Sequence, residues 1–194
     1  MSISLSKGQK ISLSKEGGGG LDRVAVGLGW AKKKGFLGFS SDVDLDASCI
    51  MFDQDRKPVD VVYFGQLQSR DGSIRHTGDD RAGGGAETDP NEVINVQLER
   101  VPPQVRSIVF VVNSYSGETF KGIPWAFCNV SDLSEGSKEV ARFNLSTDGG
   151  AHRGFVIAKV HRDGEQWSFE AIGEVCSGRQ QTIEDILPQA AQLA

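Results

Sequence analysis

One short stretch of alternating acidic and apolar residues constrains this chain more than any other feature. Residues 42–46 read Asp-Val-Asp-Leu-Asp, and a strand-like apolar run follows at residues 49–52. Because successive side chains of an extended backbone point to opposite faces, we expect Asp42, Asp44 and Asp46 to share one face. Like charges that share a face repel each other, so the pattern favours a cation among them.

A second acidic and glycine-rich stretch, residues 76–92, is the candidate to complete this site. It has no hydrophobic periodicity and is long for a loop within a compact domain, so we expect it to be functional or disordered. Calcium takes about six to eight oxygen ligands from carboxylates, backbone carbonyls and waters. The candidate ligands in the two stretches are Asp42, Asp44, Asp46, Gly78, Asp79, Asp80, Asp89 and Glu92.

This ligand set is not an EF-hand. The spacing of Asp42, Asp44 and Asp46 fits the start of an EF-hand loop, but Ala47 stands where that loop needs glycine and Asp53 where it needs a bidentate glutamate. We therefore expect a cage of oxygens built from two separate stretches.

Charge is concentrated in the same part of the chain. Residues 42–92 hold ten Asp, two Glu and five Arg or Lys, a net charge of −7, whereas the whole chain carries −5. Nucleic acid is therefore disfavoured as a partner, because neutralising phosphates needs a basic surface. A solvated acidic face that binds a basic partner protein is an alternative to the cation site.

A third interpretation is a metal-dependent enzyme that acts on a phosphorylated or nucleotide substrate held by the ion. It needs a general base, and His76 lies close to Asp79 in sequence. The chain has no GxSxG nucleophile elbow. A histidine in such a loop is more often a structural hydrogen-bonding group.

The strand pattern predicts an all-β fold. About ten short strands at regular spacing favour an antiparallel β-sandwich, a single domain over residues 1–194 with long acidic loops. The repeat ISLSKG/ISLSKE within residues 1–16 predicts two short strands that form a hairpin or an edge pair. The tail, residues 180–194, predicts a short helix that Pro188 limits.

Three further predictions concern burial and location. Cys49, Cys128 and Cys176 lie in apolar contexts without CxxC spacing, so we expect buried structural thiols. The basic-apolar loop at residues 31–39 either packs its phenylalanines onto the sandwich or touches a membrane or partner. The chain shows no signal-peptide pattern and no long apolar run, so we expect a cytoplasmic protein.

Several motifs together resemble the tellurium-resistance TerD family of bacterial stress proteins. They are SLSKG at 4–8, VGLGW at 26–30, DLDAS at 44–48 and HTGDD at 76–80. The stretches VNSY at 112–115, AFC at 126–128 and TIED at 182–185 are most similar to the TerZ branch.

The resemblance implies a calcium-binding β-sandwich that holds one or two ions and has no known catalytic activity. It also implies a role in resistance to tellurite and other chemical or phage stress. The implied partners are other stress-response or tellurium-resistance proteins, in assemblies peripheral to the inner membrane. Within the acidic stretch it singles out Asp44 and Asp46. Two departures from the family pattern, Ala31 in place of Asp and a less charged second loop, leave Asn91, Glu87 or water to replace one ligand.

Overall fold

The structure is a computed structural model that describes residues 3–4, 10–12, 22–35, 39–133, 138–164, 166–176 and 182–194. Two six-stranded sheets form the body of this structure. The strands are β1 Ile3–Ser4, β2 Lys10–Ser12, β3 Arg23–Trp30, β4 Lys33–Lys34, β5 Ser40–Ser41, β6 Leu45–Phe52, β7 Pro58–Val62, β8 Ile74–His76, β9 Glu92–Gln97, β10 Ser107–Ser114, β11 Ala126–Asp132, β12 Lys138–Asn144, β13 Gly154–Asp163 and β14 Gln166–Val175. The helices are α1 Leu145–Asp148 and α2 Ile183–Leu193, with single 3-10 turns at Leu98–Arg100 and Phe120–Gly122.

The predicted β-sandwich is confirmed. The first sheet has the strand order β1-β12-β11-β3-β9-β8, and the second has the order β2-β14-β13-β10-β6-β7. The paired strands run antiparallel except β1 and β12, which are parallel. Strands β4 and β5 form a separate two-stranded sheet.

Alternation along β6 explains the main core. Leu45, Ala47, Cys49 and Met51 are buried in the cluster between the two sheets. The opposite face of the same strand is apolar only in its second half, at Ile50 and Phe52. Helix α2 covers Ile50 and Phe52. Because both faces of this half of β6 are buried, residues 49–52 are all apolar.

The predicted pairing of the two N-terminal repeat strands is wrong. β1 pairs with β12 in the first sheet, whereas β2 pairs with β14 in the second. Each copy forms an edge strand of a different sheet and gives the strand next to it backbone hydrogen bonds that would otherwise be missing. The glycine run that follows, residues 17–20, lies outside the described residues.

The predicted limit at Pro188 is also wrong, because α2 continues through it to Leu193. Ile186 and Ala190 are buried against the second sheet, and this packing outweighs the one backbone hydrogen bond that a proline removes. Basic side chains satisfy carbonyls at the C-terminal end. Arg56 Nη1 donates to Gln192 O over 2.8 Å, and Lys159 Nζ donates to Leu193 O over 2.9 Å.

All three cysteines are buried free thiols, as predicted. Burial raises the pKa of Cys128 to about 12 and that of Cys176 to about 11, and it raises the pKa of Cys49 as well. Because the thiolate is the form that binds metals and attacks electrophiles, none of the three is suited to soft-metal chemistry at neutral pH.

The structure contradicts, for Phe39, the interpretation in which the phenylalanines of residues 31–39 pack onto the sandwich. Phe39 does not pack on the sandwich, because 75% of its surface is exposed. Lys33 Nζ is held by Glu118 Oε2 over 2.7 Å. Phe36 and Leu37 lie outside the described residues.

Replacing Ile186 by alanine should lower the free energy of unfolding by about 2–5 kcal/mol, because it leaves a cavity beneath α2. Urea unfolding measures this difference. The exposed Glu184 on the same helix is the matched control, and its replacement by alanine should change stability by no more than about 0.5 kcal/mol. Equal effects of the two substitutions would contradict the docking of α2 on the second sheet.

Candidate metal centre

Three carboxylates from the two acidic stretches converge at one end of the second sheet. Asp44 directly precedes β6, Asp46 is its second residue, and Asp79 lies in the loop between β8 and β9. One oxygen from each lies within 4.8 Å of the others. The alternation in the sequence therefore predicted correctly that Asp44 and Asp46 share a face.

The neighbouring strand holds the Asp46 side chain in place. Asn113 of β10 lies directly opposite Asp46 in the strand register, and its Nδ2 donates to Asp46 Oδ2 over 2.8 Å. Both side chains are buried. Sequence reasoning missed Asn113 as a site residue. The only available signal was a polar residue that ends the apolar run at 108–112.

Asp44 is positioned by its backbone. Its N–H donates to Ser116 Oγ, and its carbonyl accepts hydrogen bonds from the N–H groups of Tyr115 and Ser116. The side-chain oxygen Oδ1 is buried and accepts no hydrogen bond from the described residues. A buried polar atom without a partner is costly in free energy, and a bound cation would satisfy it.

Burial and the closeness of the carboxylates raise the pKa values of Asp44 and Asp46. Burial, followed by the charges of Asp44 and Glu92, raises the pKa of Asp46 to about 7, although the Asn113 hydrogen bond acts in the opposite direction. Burial and the charge of Asp79 raise the pKa of Asp44 as well. Without a nearby positive charge, burial and repulsion make the ionised forms of these carboxylates less stable. A cation bound among them would add an attraction that offsets the repulsion.

Glu92, whose charge acts on Asp44 and Asp46, joins the two acidic stretches. Its Oε2 accepts a hydrogen bond from Ala47 N over 2.7 Å, and its Oε1 accepts one from Asp80 N over 3.1 Å. The whole residue is buried. Both oxygens thus already serve the scaffold, and Glu92 lies outside the cluster of three converging carboxylates.

His76 is a structural hydrogen-bonding group. Gly78 N donates to Nδ1 over 3.0 Å, which makes Nδ1 the acceptor and places the proton on Nε2. Nε2 lies 3.2 Å from Ala47 O and 3.3 Å from Glu92 Oε2. Because the ring is buried and its only lone pair is used, His76 has no free position with which to accept a proton from a substrate.

The remaining predicted ligands are not among the three converging carboxylates. Asp42 is exposed and forms an ion pair with Lys32 over 2.7 Å. Asp89 accepts a hydrogen bond from Thr88 Oγ1 over 3.0 Å. Asp80 closes its own turn, since Oδ1 accepts hydrogen bonds from the N–H groups of residues 82 and 83. A metal role for these residues stays a prediction.

Trp30 fixes the second acidic loop against the first. Its indole Nε1 donates to Val43 O over 2.8 Å, and its carbonyl accepts from Gly84 N over 2.8 Å. Gly83 packs on the indole so closely that a Cβ there would lie 2.3 Å from Nε1, and its φ of +67° also favours glycine. The sequence placed Trp30 in the core but did not indicate this second function.

Asn91 completes the loop. It accepts a hydrogen bond from Trp30 N at Oδ1, and its Nδ2 donates to Asp80 Oδ2 and to Gly84 O, each over 3.0 Å. The prediction that Asn91 replaces a calcium ligand stays open, but its amide already bridges the loop to β3.

The three carboxylates line a pocket of about 200 Å³. Its other walls are Phe64, Arg81 and Tyr115. The two aromatic rings meet edge to face with centroids 5.9 Å apart. Carboxylate oxygens are the ligands that calcium and magnesium prefer, and the unpartnered Asp44 Oδ1 fits a hard cation at this point.

The family assignment rests on a comparison of the whole chain. The sequence model of the TerD domain family matches residues 1–187. The chain belongs to the TerD family. It is 42% identical over 190 residues to the tellurium resistance protein TerZ of Serratia marcescens, in an alignment that covers 95% of this chain and 94% of that protein.

Another relative is named as a stress response protein. The chain is 38% identical over 203 residues to the stress response protein SCP2 of Bacillus subtilis (strain 168), covering 96% of this chain and 98% of that protein. The fold resembles the crystal structure of a homologue of telluride resistance protein (TerD), SCO6318 from Streptomyces coelicolor A3(2). The TM-score is 0.65 at 24% identity, with 79% of this chain and 89% of that chain covered.

The resemblance to the TerD family that the sequence motifs indicated is therefore confirmed. Among the described residues, no helix of this TerD chain is long and apolar enough to cross a bilayer.

The raised pKa of Asp46 predicts how the stability of the metal-free protein depends on pH. Because the folded state keeps a proton up to about pH 7 that the unfolded state loses near 3.8, this group stabilises the fold at acid pH. That stability is lost as the pH rises through 7. In the presence of a chelator, the unfolding free energy of the wild type should fall between about pH 5 and 8. Asp46→Asn should make this fall smaller by roughly 1–3 kcal/mol, as measured by urea unfolding.

Asp42→Asn is the matched control, because Asp42 is paired with Lys32 at the surface. It should keep the wild-type pH profile. The same pH profile for wild type and Asp46→Asn would contradict the electrostatic description of the centre.

Proposed function

We propose that this TerD-family chain is a calcium-binding, non-catalytic stress-response protein that acts by binding partner proteins. The observation that carries the proposal is the buried Asp44 Oδ1, which has no hydrogen-bond partner among the described residues and converges with oxygens of Asp46 and Asp79. A divalent cation there satisfies that atom and offsets the repulsion among the carboxylates.

Calcium suits this centre better than softer metals. The converging donors are carboxylate oxygens, and the cysteines are buried with raised pKa values. Calcium also tolerates irregular geometry, whereas magnesium requires a near-ideal octahedron and gives up its waters reluctantly. One ion at the three carboxylates is the proposal. A second ion would compete with hydrogen bonds that Asp80 and Glu92 already accept.

The non-catalytic part of the proposal is supported by His76 and by the relatives. Both ring nitrogens of His76 are used within the scaffold, so it is poorly suited to general-base chemistry. The TerZ and SCP2 relatives are named for tellurium resistance and stress response. The partners, other stress-response or tellurium-resistance proteins, and a cytoplasmic location peripheral to the inner membrane come from the family resemblance and stay predictions.

Calcium should raise the melting temperature of the wild-type protein, because it binds the folded state. At a free concentration 100 times the Kd, the stabilisation is about 2.7 kcal/mol. Asp44→Asn combined with Asp46→Asn should abolish the rise, while the control Asp42→Asn keeps it. Thermal unfolding at increasing calcium concentrations measures all three proteins.

Two results would contradict the proposal in different ways. No calcium-dependent rise in the wild type would exclude calcium binding, and an unchanged rise in the double variant would exclude this site. Isothermal titration separates a defined site from the acidic-face alternative, since a solvated acidic surface gives weak binding without a defined stoichiometry.

The enzyme alternative predicts metal-dependent turnover of phosphoesters or nucleotides with His76 as base. We expect no turnover above that of His76→Ala, with or without calcium, because the His76 ring has no free acceptor. Release of phosphate or of a chromogenic alcohol measures it. Activity that requires both the ion and His76 would retire the non-catalytic proposal.

A further inference from the structure

We infer that the open side of the metal centre binds a small oxyanion compound that carries an aromatic ring. The oxyanion contacts the bound cation and Arg81, and the ring lies against Phe64 and Tyr115. This inference rests on the proposed calcium site, whose carboxylates line the same pocket.

The protein leaves coordination positions for such an oxyanion. Three carboxylates supply six oxygens, and one of them, Asp46 Oδ2, already accepts a hydrogen bond from Asn113. Calcium takes about six to eight ligands. Because the carboxylates lie in the wall of the pocket, a cation held by them would be accessible to a ligand in the pocket. Water or an oxygen of an external ligand would complete its coordination.

The charges around the pocket make anion binding depend on the cation. Among the side chains that line the pocket, Asp44, Asp46 and Asp79 carry −3 when ionised and Arg81 carries +1, a net charge of −2 that repels an anion. The charge of the buried Glu92 also acts on Asp44 and Asp46 and adds to this repulsion. A divalent cation offsets the charge of the lining side chains. The pocket then presents two adjacent positive groups to an incoming oxyanion.

Arg81 is suited to the second contact. It is exposed at the pocket wall, its charge acts on Asp44, and it forms no ion pair within the described ranges of the chain. Its planar guanidinium can donate two parallel hydrogen bonds to a carboxylate or a phosphate.

The aromatic wall accounts for the ring. Phe64 is 42% exposed and Tyr115 is 50% exposed, although both are large apolar side chains. They come from different parts of the fold, the turn after β7 and the end of β10, and meet with ring planes at 76°. A third ring seated against this pair would cover apolar surface that otherwise faces water.

Pocket size limits the ligand. Pockets for drug-sized ligands have volumes of roughly 300–1,000 Å³, whereas this one measures about 200 Å³. A single ring with one acidic group fits this volume better than a nucleotide does.

Phenyl phosphate and inorganic phosphate are the probes that test the inference. Calcium is titrated first on its own, and each anion is then titrated into the calcium-loaded protein and into the protein in chelator. We expect phenyl phosphate to bind the calcium-loaded protein roughly 2- to 10-fold more tightly than inorganic phosphate, because only phenyl phosphate contacts the rings. In chelator, neither anion should bind.

Matched variants assign the two contacts. Tyr115→Ala and Phe64→Ala should remove the preference for phenyl phosphate and leave calcium binding unchanged, while Phe39→Ala, an exposed phenylalanine that does not line the pocket, keeps it. Arg81→Gln should weaken both anions at least about 5-fold, whereas Arg75→Gln, on the exposed side of β8, should not.

The possible failures are distinguishable. If calcium itself does not bind, the proposed function fails and the inference fails with it. If calcium binds at the three carboxylates but phenyl phosphate does not bind, or binds equally well in chelator or no better than inorganic phosphate, the inference alone is overturned.

Discussion

The candidate site depends on the hydrogen bonds that the buried carboxylate of Glu92 accepts. It accepts hydrogen bonds from Ala47 N in β6 and from Asp80 N in the second acidic loop, so one side chain binds both stretches together. Hydrogen bonds to a charged group contribute about 1.5–3 kcal/mol each, and leaving such a group unpaired in the interior costs more. The loop is therefore held where Asp79 faces Asp44 and Asp46.

Electrostatic repulsion among the carboxylates destabilises the fold, and other interactions must offset it. Three carboxylates converge within 4.8 Å, and two of them have raised pKa values. The free energy that offsets this repulsion comes from the hydrogen bonds of Glu92, from the packed core beneath β6 and from the hydrogen bonds of Trp30 and Asn91. A scaffold that is rigid without the ion can hold the carboxylates in place for the ion, which reduces the ordering cost of binding.

The sequence predicted the local parts of this arrangement and missed the distant ones. Alternation over residues 42–46 is a local property, so the shared face of Asp44 and Asp46 could be predicted, whereas Asp42 is paired with Lys32 in a surface hairpin. Asn113 reaches Asp46, and Tyr115 reaches the pocket, through the register of β10 and β6, whereas Phe64 reaches the pocket through the turn after β7. Tertiary packing likewise decided that α2 passes through Pro188 and that β1 and β2 join different sheets.

The outer face of β6 changes from acidic to apolar along a single strand. Asp46 and Ser48 precede Ile50 and Phe52 on that face, so the carboxylate end and the seat of α2 share one register. A slip of one residue would turn Asp46 toward the interior and move Ile50 and Phe52 away from the helix at the same time. An insertion or deletion within β6 cannot change one of these features alone, so substitution is the only way to alter the acidic end separately.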